Sequence, residues 1–298
     1  MESKGVCRPL VPRQPLLVLA ATRYYKFEFL RYGISHFYAF QANSACMNMA
    51  QLVPDGTIDI LFQTGTSFPK VFCYGTPLKT YLLSEYRPMD VKPGDCFFGV
   101  RFFPGQAYLF GKMPEAELTE GAVDLHDIIQ DQKTIEEISK SSNFQNQIRI
   151  FLEAYLKNFR KNFEERSRER RLQDYLTERI VGSRGTVRLD ELSEETGYSA
   201  RYLQRVFRSE KGMSPEQFKQ VTRFQNVLTD LRQPSTLTDV AMKAGFFDQS
   251  HMIKEFEKIL GMSPKRYMRE LMKTDFQDRL VVLTRASLER EDVFTVNS

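Results

Sequence analysis

The chain has 298 residues, 42% of them hydrophobic, and a formal charge of +4, which is enough apolar material for two cored domains and excludes a disordered polymer. That charge is too small to identify a nucleic-acid binder on its own, and no run approaches the roughly 18 apolar residues a membrane-spanning helix needs. The early apolar run Leu16 to Ala21 is too short for a signal peptide, so a cytoplasmic location with no membrane contact is expected.

The first half reads as short extended segments. Residues 24 to 30 alternate loosely, with Tyr25, Phe27 and Phe29 on one side. Aromatic or β-branched runs follow at His36 to Phe40, Ile58 to Phe62, Val71 to Tyr74 and Cys96 to Phe103. Turn signals separate them at Pro54-Asp55-Gly56, Pro93-Gly94-Asp95 and Pro104-Gly105. The pattern predicts a β-rich domain whose aromatics either line a ligand cavity or fill a core or dimer surface.

Candidate chemistry in this half is sparse. Cys7, Cys46, Cys73 and Cys96 have neither zinc-site spacing nor the density of a disulfide scaffold, so they read as free thiols. His36 and His126 lack the partners of a metal site or catalytic triad, and no metal or cofactor is expected. The best polar candidates for catalysis are Asp55, Asp59, Asp95 and Arg101, but Asp55 and Asp95 are explained by their turns, so the chain reads as a non-enzyme. Arg101 fits either an ordinary ion pair or the edge of a cavity that takes an anionic effector.

From about residue 134 the period becomes helical, with one stripe at Ile148, Phe151, Leu152, Tyr155, Leu156 and Phe159 and another at Leu172, Tyr175, Leu176 and Ile180. The first stripe is expected to pack on the N-terminal domain or on a partner subunit. The charged stretch Glu164 to Arg171 reads as a surface connection or exposed helix start. Charge follows the same division. Residues 1 to 130 hold 12 Lys or Arg against 12 Asp or Glu, whereas residues 149 to 188 hold 11 against 6, a net of +5.

The C-terminal third repeats itself. Leu192-Ser193 with Gly197-Tyr198 is echoed by Val240-Ala241 with Gly245-Phe246, Phe207 by Phe256, and Gly212-Met213-Ser214-Pro215 by Gly261-Met262-Ser263-Pro264. Each copy reads as a short helix, a glycine turn, a capped second helix and a proline-opened third. Ser199 and Asp248 are the expected caps. In the helix from Ala200 to Arg208, Tyr202, Leu203, Val206 and Phe207 face a core, while Arg201, Gln204, Arg205 and Arg208 form a polar stripe. An arginine fork matches guanine O6 and N7, a glutamine amide matches adenine, and either can touch phosphate. In the second copy, Ser250, His251, Ile253 and Lys254 face a groove beside Met252 and Phe256 in the core. Glu255 and Glu257 weaken its electrostatic case. Phe218, Val221, Phe224, Val227, Leu228 and Leu231 form the buried stripe of a helix joining the two units.

These residues resemble the AraC/XylS family of bacterial transcription regulators, most closely through Gly245-Phe246-Phe247-Asp248-Gln249-Ser250-His251 and the two Gly-Met-Ser-Pro segments. Ser193 stands where many members carry alanine. The resemblance places base-reading positions on Arg201, Gln204 and Arg205 and on Ser250, His251, Ile253 and Lys254; Arg208 is read as a phosphate contact. A weaker resemblance to the sensor domain of some such regulators runs through Leu52-Val53-Pro54-Asp55-Gly56, Ile58-Asp59-Ile60 and Gly99-Val100-Arg101-Phe102-Phe103-Pro104-Gly105.

The expected fold class is therefore α+β: a β-rich N-terminal sensor or dimerisation domain (1–135), a helical connecting region (136–182), an all-α domain with two helix-turn-helix motifs (183–272) and a C-terminal extension (273–298). Double-stranded promoter DNA is the implied partner. By family resemblance, RNA polymerase is contacted in activation. A small-molecule effector or homodimerisation through the N-terminal domain supplies control, the alternative being a domain that only dimerises or binds protein without any effector.

Overall fold

The computed structural model describes residues 10–43, 51–66, 70–77, 80–82, 91–107, 115–118, 122–125 and 131–288. Cys7, Cys46, His126 and the polar end beyond Arg290 lie outside the described residues. The N-terminal part is a β-sheet domain, and helices make up most of the chain beyond it, as the α+β reading expects. Its strands are β1 (Ala21–Arg31), β2 (Ile34–Ala42), β3 (Gln51–Leu52), β4 (Asp59–Thr64), β5 (Val71–Tyr74), β6 (Tyr81–Leu82), β7 (Cys96–Phe102) and β8 (Ala122–Asp124). A last strand, β9 (Leu280–Leu283), comes from the C-terminal extension and pairs in parallel with β1, Tyr24 opposite Leu280. The resulting seven-stranded sheet runs β8-β5-β4-β7-β2-β1-β9, and β3 pairs with β6 apart from it.

Period-two alternation divides the sheet's aromatics between two cores. Phe37, Phe62, Phe98 and Phe102 point to one face, where helices α2 (Gln132–Lys140) and α3 (Phe144–Glu164) cover them through Ile135, Phe144, Ile148 and Phe151. Tyr24, Tyr38, Phe40 and Phe97 point to the other, under helix α1 (Pro15–Leu19) and Phe276. The central strand β7 is buried along its whole length. Gly99 is required there because a Cβ at this position would lie 2.1 Å from Cζ of the Tyr38 ring. That ring in turn stacks on Tyr24, with centroids 5.4 Å apart. The aromatics thus pack against one another and against covering helices.

After α3 the chain forms α4 (Arg168–Gly182), α5 (Leu189–Thr196), α6 (Ala200–Lys211), α7 (Pro215–Asp230), α8 (Leu237–Lys243), α9 (Gln249–Leu260), α10 (Pro264–Leu271), α11 (Thr274–Arg279) and α12 (Arg285–Leu288). Two small cores result. Leu176, Ile180, Leu192, Leu203, Phe207 and Phe218 join α4 to α5, α6 and the start of α7. Phe224, Val227, Leu228, Val240, Met252, Phe256 and Tyr267 hold α8, α9 and α10 on the rest of α7. Each such side chain contributes about 2 kcal/mol of apolar burial. Helix α7 therefore belongs to both units, and at sixteen residues it is about 24 Å long.

Of the stretch Glu164 to Arg171, read as a surface connection or exposed helix start, all but Arg166 and Arg170 are exposed, and α4 starts within it at Arg168. Arg170 is buried and donates from Nη2 to Gly105 O at 3.1 Å, and Arg166 pairs with Asp174 at 2.7 Å. A sequence window registers charge, but not that Arg170 meets an acceptor, Gly105 O, from the N-terminal domain.

Candidate nucleic-acid interface

Local capping chemistry sets where each recognition helix starts and stops. Gly197 closes α5 with φ of 71°, a left-handed conformation that glycine adopts without a Cβ clash. Ser199 then accepts a hydrogen bond from Tyr202 N at 3.3 Å and opens α6, which Gly212 closes. In the second unit Asp248 Oδ1 accepts from His251 N at 2.7 Å and opens α9, which Gly261 closes. Ser214 and Ser263 repeat the device at the proline-opened helices α7 and α10.

In α6 the core side is Leu203, Val206 and Phe207, with Tyr202 half-buried and stacked on Tyr198. Arg201, Gln204, Arg205 and Arg208 are all exposed on the outer side. None of these three arginines is in an ion pair among the described residues, so their donors are available to an anionic partner. Arg205 lies over the Tyr202 ring, 5.0 Å from its centroid, which limits its sweep without using its N–H groups. The helix is oriented from behind. On α4, Arg179 Nε donates to Glu195 Oε2 at 2.7 Å and Tyr175 OH donates to the same atom at 2.9 Å. Those bonds hold the Glu195 carboxyl down to about 2, so the tie between α4 and α5 stays ionised at neutral pH.

The second unit presents less charge. Ser250 and Lys254 are exposed on α9, and Met252 and Phe256 are buried. His251 is exposed, its ring edge-on to Phe246 at 5.4 Å and its Nε2 4.0 Å from Glu255, a pairing that needs a protonated ring. Ile253 is half-buried and packs partly on the core of this unit, so only part of its side chain faces outward. The charged groups of α9 include Glu255 and Glu257 beside Lys254 and Lys258, whereas the outer stripe of α6 is cationic and amide.

A further surface residue emerges at the mouth of α9. Phe247, immediately before the Asp248 cap, is 93% exposed, and Met242 nearby in sequence is 70% exposed. Apolar periodicity hides Phe247, since it reads as one of a Phe-Phe pair whose first member, Phe246, is buried. Its position gives no such signal, because an apolar residue just before a cap commonly packs on the helix's fourth residue, here the buried Met252, whereas Phe247 stays exposed.

The polar candidates of the sheet domain form a structural cluster. Arg101 Nε donates to Asp59 Oδ1 at 2.8 Å and Oδ2 at 3.0 Å, and its Nη1 lies 3.6 Å from Asp55 Oδ2. Both acids keep the buried guanidinium protonated well above its usual range. Asp55 Oδ1 also accepts from Thr57 N and Oγ1, and its Oδ2 accepts from Gln14 Nε2 at 2.8 Å. Asp95 caps its own turn by accepting from Lys92 N. His36 is buried, with Ser35 Oγ 3.0 Å from its Nδ1. Cys73 and Cys96 are buried and in no disulfide among the described residues, and burial pushes the Cys96 thiol up. Among the described residues there is no cluster of His, Cys, Asp and Glu that would hold a metal ion, and no helix long and apolar enough to cross a membrane.

Comparison with known proteins matches both regions. Residues 192–270 fit the model of a helix-turn-helix domain, and residues 28–124 fit a domain of unknown function, DUF6597. The HTH-type transcriptional activator AarP of Providencia stuartii is 32% identical over 95 residues, 32% of this chain and 69% of that protein. An uncharacterised HTH-type transcriptional regulator of Bacillus subtilis, YbfI, is 30% identical over 174 residues, 56% of this chain and 62% of the relative, which is under two thirds of its length. The C-terminal domain of AraT, a response regulator from Geobacillus stearothermophilus, is similar at 25% identity and a TM-score of 0.32, covering 36% of this chain and 92% of that one.

Proposed function

The chain belongs to the AraC/XylS-type helix-turn-helix transcriptional regulators, a DNA-binding and non-enzymatic family, and on that premise we propose how it reads a promoter. The observation that carries the proposal is the exposed stripe Arg201, Gln204, Arg205 and Arg208 on a helix capped at both ends, with its arginines outside any ion pair among the described residues. Arg201 and Arg205 read guanine edges in the major groove, Gln204 reads adenine, and Arg208 holds phosphate. Helix α9 supplies register and grip through Ser250, His251 and Lys254, with the outer part of Ile253 and the Phe247 ring available to thymine methyls. Because α7 is shared by both cores, the two recognition helices dock as one rigid pair, and a connecting helix of about 24 Å against the roughly 34 Å DNA turn favours sites that bend.

The regulator acts in the cytoplasm, where its DNA is, and activates by contact with RNA polymerase; AarP, by its name an activator, supports that direction. Control comes through the N-terminal domain. Among the described residues its sheet aromatics pack into two cores, and a cavity of ≈ 210 Å³ that Phe62, Phe151 and Tyr155 border lies against the covering helices, which supports an effector site at the edge of the domain, or dimerisation, over a ligand inside the sheet. A footprint on DNA upstream of its own and neighbouring genes tests the reading: protection spanning two adjacent major grooves is expected, and no protection at micromolar protein in low salt overturns it.

A further inference from the structure

Where the sheet meets the second helix-turn-helix unit there is a small cleft of ≈ 50 Å³, and cations crowd around it. Arg13 comes from the N-terminal segment, Lys26 from β1, Arg101 from β7, and Arg232 from just beyond α7. Two of them have carboxylate partners: Arg101 has Asp59 and Asp55, and Lys26 has Glu28 at 2.9 Å. The other two do not. Arg13 Nε donates to the neutral Thr229 hydroxyl at 3.0 Å, and neither Arg13 nor Arg232 has an ion pair among the described residues.

This charge is only partly compensated in a partly buried place. Burial lowers the Arg13 guanidinium from its usual range and Arg232 lowers it further, with Tyr267 and Glu28 opposing; burial likewise lowers Lys26, opposed by Glu28 and reinforced by Arg13 and Arg101. Crowding like charges away from water costs stability unless a counter-charge is present. Neutral donors stand beside the cations. Tyr24 and Tyr267 line the same cleft, 3% and 2% exposed, and neither hydroxyl has a hydrogen-bond partner among the described residues.

We propose that this cleft is a site for a small oxyanion, the carboxylate or phosphate group of an effector, held between Arg13, Lys26 and Arg232 with the Tyr24 and Tyr267 hydroxyls as further donors. Its size admits one such group and leaves any remaining part of the effector to extend outward. The site joins regions that regulation has to couple, because Lys26 and Tyr24 belong to the sheet whereas Arg232 and Tyr267 belong to the second helix-turn-helix unit. An anion here draws the unit toward the sheet, and an empty cleft lets repulsion push it away. The inference rests on the reading of the chain as an effector-controlled regulator, but its test does not require DNA.

Thermal unfolding of the full chain, at constant ionic strength with chloride replaced by inorganic phosphate or by acetate, measures the site. A saturable rise in Tm is expected from at least one of the two, about 3 °C at a concentration of about ten times the dissociation constant. Which anion acts tells phosphate chemistry from carboxylate chemistry. Arg232→Gln, on an exposed side chain, is expected to unfold at or above the wild-type temperature without anion and to lose the anion response; Lys26→Gln provides a second variant in the sheet. Arg201→Gln, on the outer face of α6, is expected to keep the response. No saturable rise with either anion, or a rise retained in both cleft variants, or one lost on Arg201→Gln, overturns the site. A chain that keeps the anion response and gives no footprint overturns the DNA reading instead.

Discussion

Replacing Gln225 with alanine tests how the two regions are fastened together. Gln225 is completely buried in the middle of α7, and its amide reaches across to the N-terminal region. Its Oε1 accepts from Arg13 N at 2.9 Å, and its Nε2 donates to Pro54 O at 2.8 Å and Arg13 O at 3.3 Å. Truncation leaves Arg13 N and Pro54 O without this partner and opens a space where the amide was. An unsatisfied buried backbone group costs about 1 to 3 kcal/mol, which applies to Pro54 O, and the part-buried Arg13 N and O add about 1 kcal/mol between them, so the loss should be about 2 to 4 kcal/mol. For a chain of this size that lowers Tm by roughly 5 to 15 °C. Urea unfolding monitored by tyrosine fluorescence gives the free energy, and limited proteolysis reports whether cleavage moves into the Val53–Gly56 turn. A change below about 0.5 kcal/mol would refute the argument, because surface substitutions fall in that range and a buried clamp should not.

Four further substitutions separate the remaining roles. Arg201→Ala should cost roughly 1 to 3 kcal/mol on a cognate site and relax preference at one base, whereas Arg208→Ala should weaken all sequences alike and reduce the salt slope by about 1; equal behaviour in a gel-shift salt series means the faces are misassigned. Phe247→Ala should leave unfolding within about 0.5 kcal/mol and weaken DNA binding by about 1 kcal/mol, a loss that thymine-to-uracil replacement in the site reproduces only with Phe247 present. His36 is held neutral by burial and then by Lys26, Arg101 and Arg13, so its folded pKa lies below the ordinary 6.5. Folded protein takes up this proton later than unfolded protein, so stability is full above that value and falls below it, by up to about 1.4 kcal/mol per pH unit. His36→Gln should flatten that slope, and unfolding free energies from about pH 7 to about pH 5 that keep the wild-type slope would contradict the assignment.

The helical third was legible because its determinants are local. A cap such as Ser199, a stop such as Gly212 and a stripe spaced at three and four residues each act within one or two turns, and the repeat states them twice. The helix end read at Arg208 differs only slightly, α6 running on to Lys211. Ile253 was harder, since whether a half-turn position faces the groove or the core depends on how far α10 and α7 close over it. Most strands were visible as well, but their order was not. The pairing of Leu280–Leu283 with Tyr24–Phe27 joins opposite ends of the chain, and nothing within either segment specifies the other. Arg101, Asp55 and Asp59 stood out as polar residues among apolar ones. Their meeting depends on β4 lying beside β7, with Asp59 directly across from Arg101.

That register gives the motifs of the sheet domain a mechanical meaning. The Arg101 cluster fixes Asp55, Asp55 shapes the turn, and the turn presents Pro54 O to Gln225 and Gly56 to Phe218. Gly56 has φ of 77°, and a Cβ there would lie 2.6 Å from the Phe218 ring, so glycine is demanded both by the backbone and by the approaching helix. Gly105 meets α4 in the same manner, offering its carbonyl to Arg170 while Gln173 Nε2 would stand 3.0 Å from a Cβ. Both contacts fall on helices that support recognition, α4 behind α6 and α7 between the two units. On the proposed reading, a displacement of the Arg101 cluster or of Arg13 would be delivered to the rod between the two proposed recognition helices, changing their placement together and not one at a time. Regulation through this docking surface requires no rearrangement inside the sheet, whose cores can stay packed while the helices tilt over its edge.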